Sequence, residues 1–264
     1  MKNSKLAKAW LIVWAVLALI SPFIFIIYSQ DIHIPEALQP PSMHHWFGTD
    51  SLGRDLLLRV FCGSSVSLGI SFAAVFLSLI IGTWLGAIAG YFGGWQDRVL
   101  MGFVDVMLCF PFFFLILAVV AVLGPSLWNI LWILALTSWM GVARLVRAEV
   151  LSLKEREFML AAKALGASEF FILRKHVIPN AVEPVIVSGI LGMSGAILAE
   201  GALSFLGVGV QPPMPSWGNL LMDGKATLGY AWWMTFFPGL VIFLTVLSLN
   251  VIGDRLSHDA KNHS

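Results

Sequence analysis

Charge is what this chain of 264 residues has least of. Asp, Glu, Lys and Arg together make up 12% of it, while 58% is hydrophobic. That charged share is about half of what a soluble domain carries, so an ordinary soluble protein is excluded and a polytopic membrane protein is expected. The net charge of +1 leaves no basic stripe of the kind nucleic-acid binders need, so no nucleic-acid partner is expected. Cysteine is nearly missing: Cys62 and Cys109 lie far apart, match no metal-ligand spacing and read as free thiols. There is no Walker loop, since Gly224-Lys225 is followed by Ala226 and lacks the upstream glycine. The chain therefore has no P-loop of its own for ATP. No H-E-x-x-H occurs, so nothing supports a zinc protease. Gly192-Met193-Ser194-Gly195 offers a serine to a remote alternative, an intramembrane serine hydrolase. Such an enzyme needs a base beside the serine, and His33, His44, His45, His176, His258 and His263 all fall outside the apolar runs. Helix packing accounts better for that glycine-rich stretch.

What is present is six apolar runs. The first, from Ala9 to about Tyr28, follows Lys2, Lys5 and Lys8. It is longer than the ~7–15 apolar residues of a signal peptide and ends without a small-x-small site, so it reads as an uncleaved span. The others are Val66 to Ala89, Leu100 to Leu123, Leu127 to Ala143, Val182 to Phe205 and Trp232 to Ile252. The second carries Gly82 and Gly86, with Gly90 just past its end, at steps of four, a ridge that lets helix backbones approach closely. Between the runs lie a polar excursion, Ser29 to Ser65, a short turn, Tyr91 to Arg98, and a loop, Leu206 to Ala231. With the N-terminus inside, alternation puts thirteen of the sixteen lysines and arginines on the inner face. That bias predicts both termini in the cytoplasm.

Few polar residues sit within the runs. A charge at the bilayer centre costs roughly 2.5–3.5 kcal/mol on insertion scales, so Asp105 and Glu200 are expected to face protein or water. Asp105 lies close enough to an edge to pair with a basic residue. Glu200 is deeper, and is either a pathway or gating acid or a hydrogen bond tying two helices. His44 and His45 are adjacent and have only His33 as a further ligand, so no metal site is expected. In the excursion, Gly48 and Gly53 punctuate turns, and Asp55 is placed to cap an interfacial helix carrying Leu56, Leu57, Val60 and Phe61.

The most polar stretch is Lys154 to Pro179, KEREFMLAAKALGASEFFILRKHVIP. Phe158, Ala161, Ala162 and Leu165 share one helical face, with Glu155, Arg156 and Lys163 opposite. Gly166 is a natural left-handed stop, and Ser168 can cap a second helix ending before Pro179. Paired alanines and a glycine leave a bump-free surface fit for another protein's groove.

Ala161-Ala162, three residues, Gly166, and a stretch closing on Ile178-Pro179 resembles the EAA loop of ABC-importer permeases, with Leu160 replacing the usual glutamate. The pattern HxxGTDxLGRDxxxR, matched from His45 to Arg59, resembles the signature of the C-type permease of dipeptide, oligopeptide and nickel importers. Its signature positions are Gly48, Thr49, Asp50, Gly53, Arg54 and Asp55. Leu203 to Gly218 and Pro238 to Leu256 are similar to later segments of the same permeases, although the tail Ser257-His258-Asp259-Ala260 departs from their usual ending.

These readings predict an all-α membrane protein of six transmembrane helices, like the permease of a type I ABC importer. Residues 1–65 are expected to form an N-terminal span plus extracytoplasmic segment, and 66–264 a five-helix core with a coupling loop at 154–179. The resemblance implies a multi-pass protein of the bacterial inner membrane that forms half of a peptide pathway and is not itself an enzyme. Nickel or a metal chelate is the alternative cargo. Implied partners are a homologous B-type permease, two ABC ATPases and an extracytoplasmic substrate-binding protein. No cofactor belongs to this chain; ATP and Mg are expected in the ATPases. Ala161, Ala162, Gly166, Ala167, Ser168 and Pro179 are the expected ATPase-coupling residues, and Asp105 and Glu200 the candidate pathway or gating residues.

Overall fold

The structure is a computed structural model that describes residues 2–28 and 32–263; the side chains of residues 2, 3, 26–28, 160, 163 and 260–263 lie outside what it describes. Ten α-helices occur among the described residues. They are α1 (Lys2–Tyr28), α2 (Leu56–Phe92), α3 (Gly94–Cys109), α4 (Phe112–Leu123), α5 (Leu127–Lys154), α6 (Glu157–Ala164), α7 (Glu169–Ile172), α8 (Ile178–Phe205), α9 (Trp217–Lys225) and α10 (Trp233–His263). Five helical stretches are long and apolar enough to cross a membrane, and a sixth is obtained if the bent pair α3 and α4 counts as one.

Several sequence expectations need correction. The run Leu100 to Leu123 is not one straight helix: it breaks at Phe110-Pro111, and the two pieces are bent by 87°. Proline disfavours the helical region for the residue before it, and Phe110 is accordingly extended, with φ −81° and ψ 132°. Asp55 does cap a helix, accepting from the Leu58 backbone N–H at 3.0 Å, but that helix is the start of α2 itself rather than a separate interfacial one. Finally, the second helix of the polar stretch does not stop before Pro179. A π turn, Leu173–Val177, carries it directly into α8. Pro179 follows directly on that turn, inside the continuous stretch Glu169–Phe205, and the i→i−5 bond from the Ile178 N–H to the Leu173 carbonyl is the local adjustment beside the proline's missing N–H. The loop after α8 is also less irregular than expected, because it contains α9 with a Ser216–Asn219 capping box.

The chain forms two compact units. The first comprises Met1–Ala73, Leu117–Trp132 and Met193–Ile252. Its centre is Trp217, fully buried, whose indole N–H donates to the Val60 carbonyl at 3.0 Å. Trp14 packs edge-on against it, with ring centroids 5.3 Å apart, and Trp10 donates to Thr245 Oγ1 at 3.1 Å. Phe47 stacks on Phe237, and the Trp233 indole donates to the Thr49 carbonyl, so the segment after α1 is sewn onto α10.

The second unit comprises Ala74–Ile116, Ile133–Gly192 and Gly253–Ser264. Its seam is the glycine ridge of α2. A Cβ on Gly82 would lie 2.6 Å from the Trp139 carbonyl, on Gly86 2.4 Å from the Ala143 carbonyl, and on Gly90 2.9 Å from Val150 Cβ. No side chain larger than hydrogen fits there, so α2 and α5 meet backbone to backbone. Above the seam, Ala87, Val146 and Val150 bury Met159, Ile172, Leu173 and Val177.

Candidate functional site

The polar stretch is an elbow held at its roots. Met159 on α6, Ile172 on α7 and Val177 in the π turn are buried in the second unit, and Ala162 and Ala167 pack against that cluster. The other side of the elbow is open: Phe158, Phe170 and Phe171 are exposed, and Leu165 is 89% exposed. At the bend Gly166 takes φ +77° with nothing within 4 Å of a would-be Cβ, so backbone sign rather than crowding selects glycine. Ser168 then starts α7, its Oγ accepting from the Phe171 N–H at 3.3 Å. Ala161 is exposed as well. One chain segment thus shows four large apolar side chains on a turn rooted in the second unit.

Two ion pairs brace α3 against α5, the helix that leads into the elbow. Arg147 forks onto Asp97, with Nε to Oδ1 at 2.5 Å and a terminal N–H to Oδ2 at 2.6 Å. Arg144 pairs with Asp105. Asp105 therefore sits on the outside of an ion pair between helices. Asp97, in the expected turn Tyr91 to Arg98, was not singled out by sequence reasoning.

In the first unit the signature residues assemble around one buried carboxylate. The Asp50 side chain is fully buried. Its Oδ1 accepts from the backbone N–H of Leu52 and Arg54, at 2.8 and 2.9 Å, and its Oδ2 from Arg54 Nε at 2.7 Å and Arg59 at 2.8 Å. Arg59 also reaches Asp223 of α9 at 3.1 Å. Thr49 Oγ1 accepts from Gln39 N–H and donates to the Glu36 carbonyl. Gly53 turns with φ +75°, and a Cβ there would fall 1.8 Å from the His33 carbonyl oxygen. Gly48, also at positive φ, is pressed against Gln39 and Trp233. His45 Nδ1 is 2.9 Å from Asp55 Oδ2 and its Nε2 3.7 Å from Glu36. Among the described residues no group of three or more His, Cys, Asp or Glu is placed to hold a metal.

Glu200 is fully buried and accepts from Ser67 Oγ at 2.9 Å and Ser204 Oγ at 2.8 Å. Ser67 in turn accepts from the Trp217 backbone N–H, and Ser204 from that of Val210. The carboxylate thereby joins α2, α8 and the chain around α9. Ser194 is buried, and its hydroxyl meets no partner among the described residues.

Residues 82–261 match the family described as the binding-protein-dependent transport system inner membrane component. The chain belongs to that family. It is 44% identical over 259 residues to the dipeptide transport system permease protein DppC of Alkalihalophilus pseudofirmus, covering 97% of this chain and 85% of that protein. It is 38% identical over 258 residues to the oligopeptide transport system permease protein OppC of Bacillus subtilis, again covering 97% of this chain and 85% of the relative. The glutathione transport system permease protein GsiD of Escherichia coli is 44% identical over 216 residues, 82% of this chain and 71% of that one. Among solved structures, inward-facing MetNI, a methionine ABC transporter, matches with a TM-score of 0.60 at 19% identity, over 77% of this chain and 95% of that one. An amino acid ABC transporter matches with a TM-score of 0.58 at 15% identity, over 76% and 94%. The chain is thus a multi-pass permease subunit of an ABC importer, and its relatives are transport components rather than enzymes.

Proposed function

We propose that this permease forms one half of a pathway that imports short peptides across the bacterial inner membrane. The observation that carries the cargo is the likeness to dipeptide and oligopeptide permeases along nearly the whole chain. The other half is a homologous B-type permease. An extracytoplasmic binding protein delivers the peptide, and two ABC ATPases, holding ATP and Mg, dock on the elbow from the cytoplasm. The lysine and arginine bias supports that orientation, with both termini inside. Residues 66–264 act as the core, a division supported by a family match that begins at residue 82, and 1–65 add a span and an outer segment. The signature residues shape that outer segment.

In the mechanism, Ala161, Ala162, Gly166, Ala167 and Ser168 present the docking turn, and Pro179 marks where it passes into α8. Closure of the ATPases pushes the exposed apolar side of the elbow. Because Met159, Ile172 and Val177 are buried at its roots, the push is delivered to α5 and α8 rather than absorbed in a loop. Asp105 and Glu200 act as fasteners of helices during that motion. The test is reconstitution with the neighbouring permease, ATPases and binding protein. A dipeptide with its binding protein should stimulate ATP hydrolysis, and Gly166→Leu should remove the stimulation while leaving membrane insertion intact. Normal stimulation in Gly166→Leu overturns the docking role, and stimulation by a nickel chelate but by no peptide overturns the cargo.

A further inference from the structure

The outer segment encloses a cavity of about 280 Å3 beside the Asp50 knot, lined among others by His33, Glu36, His45, Arg54, Asp55 and Arg59. Its lining carries both charges. Arg54 is fixed to Asp50 through its backbone N–H and Nε, and lines this cavity and a neighbouring one with Arg59. Its two terminal nitrogens meet no acceptor among the described residues, and its side chain keeps 21% of its exposure. That leaves free the planar fork that a carboxylate fits with two parallel hydrogen bonds. Asp55 and Glu36, which line it too, flank the His45 ring. Glu36 is half-exposed, and its carboxylate has only that 3.7 Å approach among the described residues.

A simple anion entering this cavity meets two carboxylates, and a simple cation meets two arginines. A ligand bearing both charges satisfies both sets of lining residues. We propose that the cavity is a binding subsite for the charged ends of a short peptide, with the terminal carboxylate on the Arg54 fork and the terminal ammonium at Glu36 and Asp55. The size agrees: the volume is just below the range of about 300–1,000 Å3 for small-molecule sites, and an extended dipeptide spans roughly 7 Å. The proposal rests on the peptide-importer reading and deepens it, by giving this permease its own recognition of free peptide where cargo enters the pathway.

The experiment titrates the purified permease–ATPase complex, without its binding protein, with labelled L-alanyl-L-alanine and separately with the C-terminal amide of that dipeptide. The free dipeptide should bind saturably, and the amide about tenfold more weakly or less, as expected when a charge-assisted hydrogen bond is lost. Arg54→Lys keeps a cation for Asp50 but lacks the fork, and should abolish the preference for the free acid. Glu36→Gln lies outside the Asp50 knot, so it serves if Arg54→Lys fails to fold, and it should weaken the dipeptide about fivefold or more. Equal binding of dipeptide and amide, or wild-type binding by both variants, overturns the subsite. So does an Arg54→Lys complex that loses its grip on peptide-free binding protein while no dipeptide binds directly, which would make Arg54 a docking contact. Cells carrying the intact importer separate the two ideas. Failure to take up the dipeptide refutes the peptide-importer reading, whereas normal uptake without direct binding refutes only the subsite.

Discussion

Two buried carboxylates in the first unit are held in opposite ways, and the difference decides what each substitution does. Asp50 is a charge answered by two arginines and two backbone N–H groups. Asp50→Asn removes the anion and leaves Arg54 and Arg59 facing each other. Breaking a buried pair costs about 3–5 kcal/mol, but both guanidiniums keep some solvent, so a loss of about 2–3 kcal/mol is expected. Denaturation of the purified subunit in detergent measures it, and an unchanged midpoint contradicts the knot. Glu200 is answered by the hydroxyls of Ser67, Ser204 and Ser216, with no cation among its hydrogen-bond partners. Glu200→Ala strands these donors, at about 1–3 kcal/mol each, whereas Glu200→Gln keeps one acceptor oxygen for them. The order of stability should be wild type, then Gln, then Ala. Peptide uptake gives the contrast: as a fastener, Glu200 tolerates Gln with near-normal uptake, and loss of uptake in a well-folded Glu200→Gln protein means the charge itself gates the pathway.

At the scale of helices, the glycine ridge makes a prediction that propensity alone would get backwards. Gly→Ala in a helix normally gains up to about 1 kcal/mol. At Gly102 of α3 nothing lies within 4 Å of an added Cβ, so Gly102→Ala should stabilise slightly. At Gly86 the added carbon falls 2.4 Å from a carbonyl oxygen of α5, so Gly86→Ala must push α2 and α5 apart and should cost about 1–3 kcal/mol. Thermal unfolding of both variants side by side checks the sign. This ridge was readable in the sequence because spacing by four is a one-dimensional signal. The break at Phe110-Pro111 was readable too, from proline's effect on its predecessor, but a hydropathy run records apolarity and not direction, so one run became two helices. What could not be read were the contacts closed across long stretches of chain. Nothing near Ser67 announces Glu200 or Trp217, and nothing near Asp97 announces Arg147. The signature residues were named from a resemblance, while their reason for existing, a carboxylate saturated by four donors, needed three dimensions. Of the face expected to carry Phe158, Ala161, Ala162 and Leu165, three are exposed, whereas Ala162 packs against the buried cluster that holds Met159, a split that only the fold shows.

For the whole molecule, the claim is that force enters at the elbow and leaves through α5 and α8. Docking and transmission are separable because different side chains carry them. Leu165 is almost wholly solvent-facing, so Leu165→Asp removes no internal contact and should leave unfolding within about 0.5 kcal/mol of wild type, as surface changes generally do. In the assembled importer it places a charge in the apolar contact, so the ATPases should co-purify poorly and uptake should fall. Met159→Ala does the reverse. It empties a fully buried site under α6, at a cost of about 2–5 kcal/mol, while leaving the docking side chains in place. The ATPases should still bind and hydrolyse ATP, but peptide should no longer control the rate, because the turn now moves without moving α5. Co-purification, basal hydrolysis and peptide-stimulated hydrolysis of these variants form a crossed set. If Leu165→Asp retains its ATPases, the elbow is not the docking surface; if Met159→Ala stays fully coupled, the buried root is not the lever.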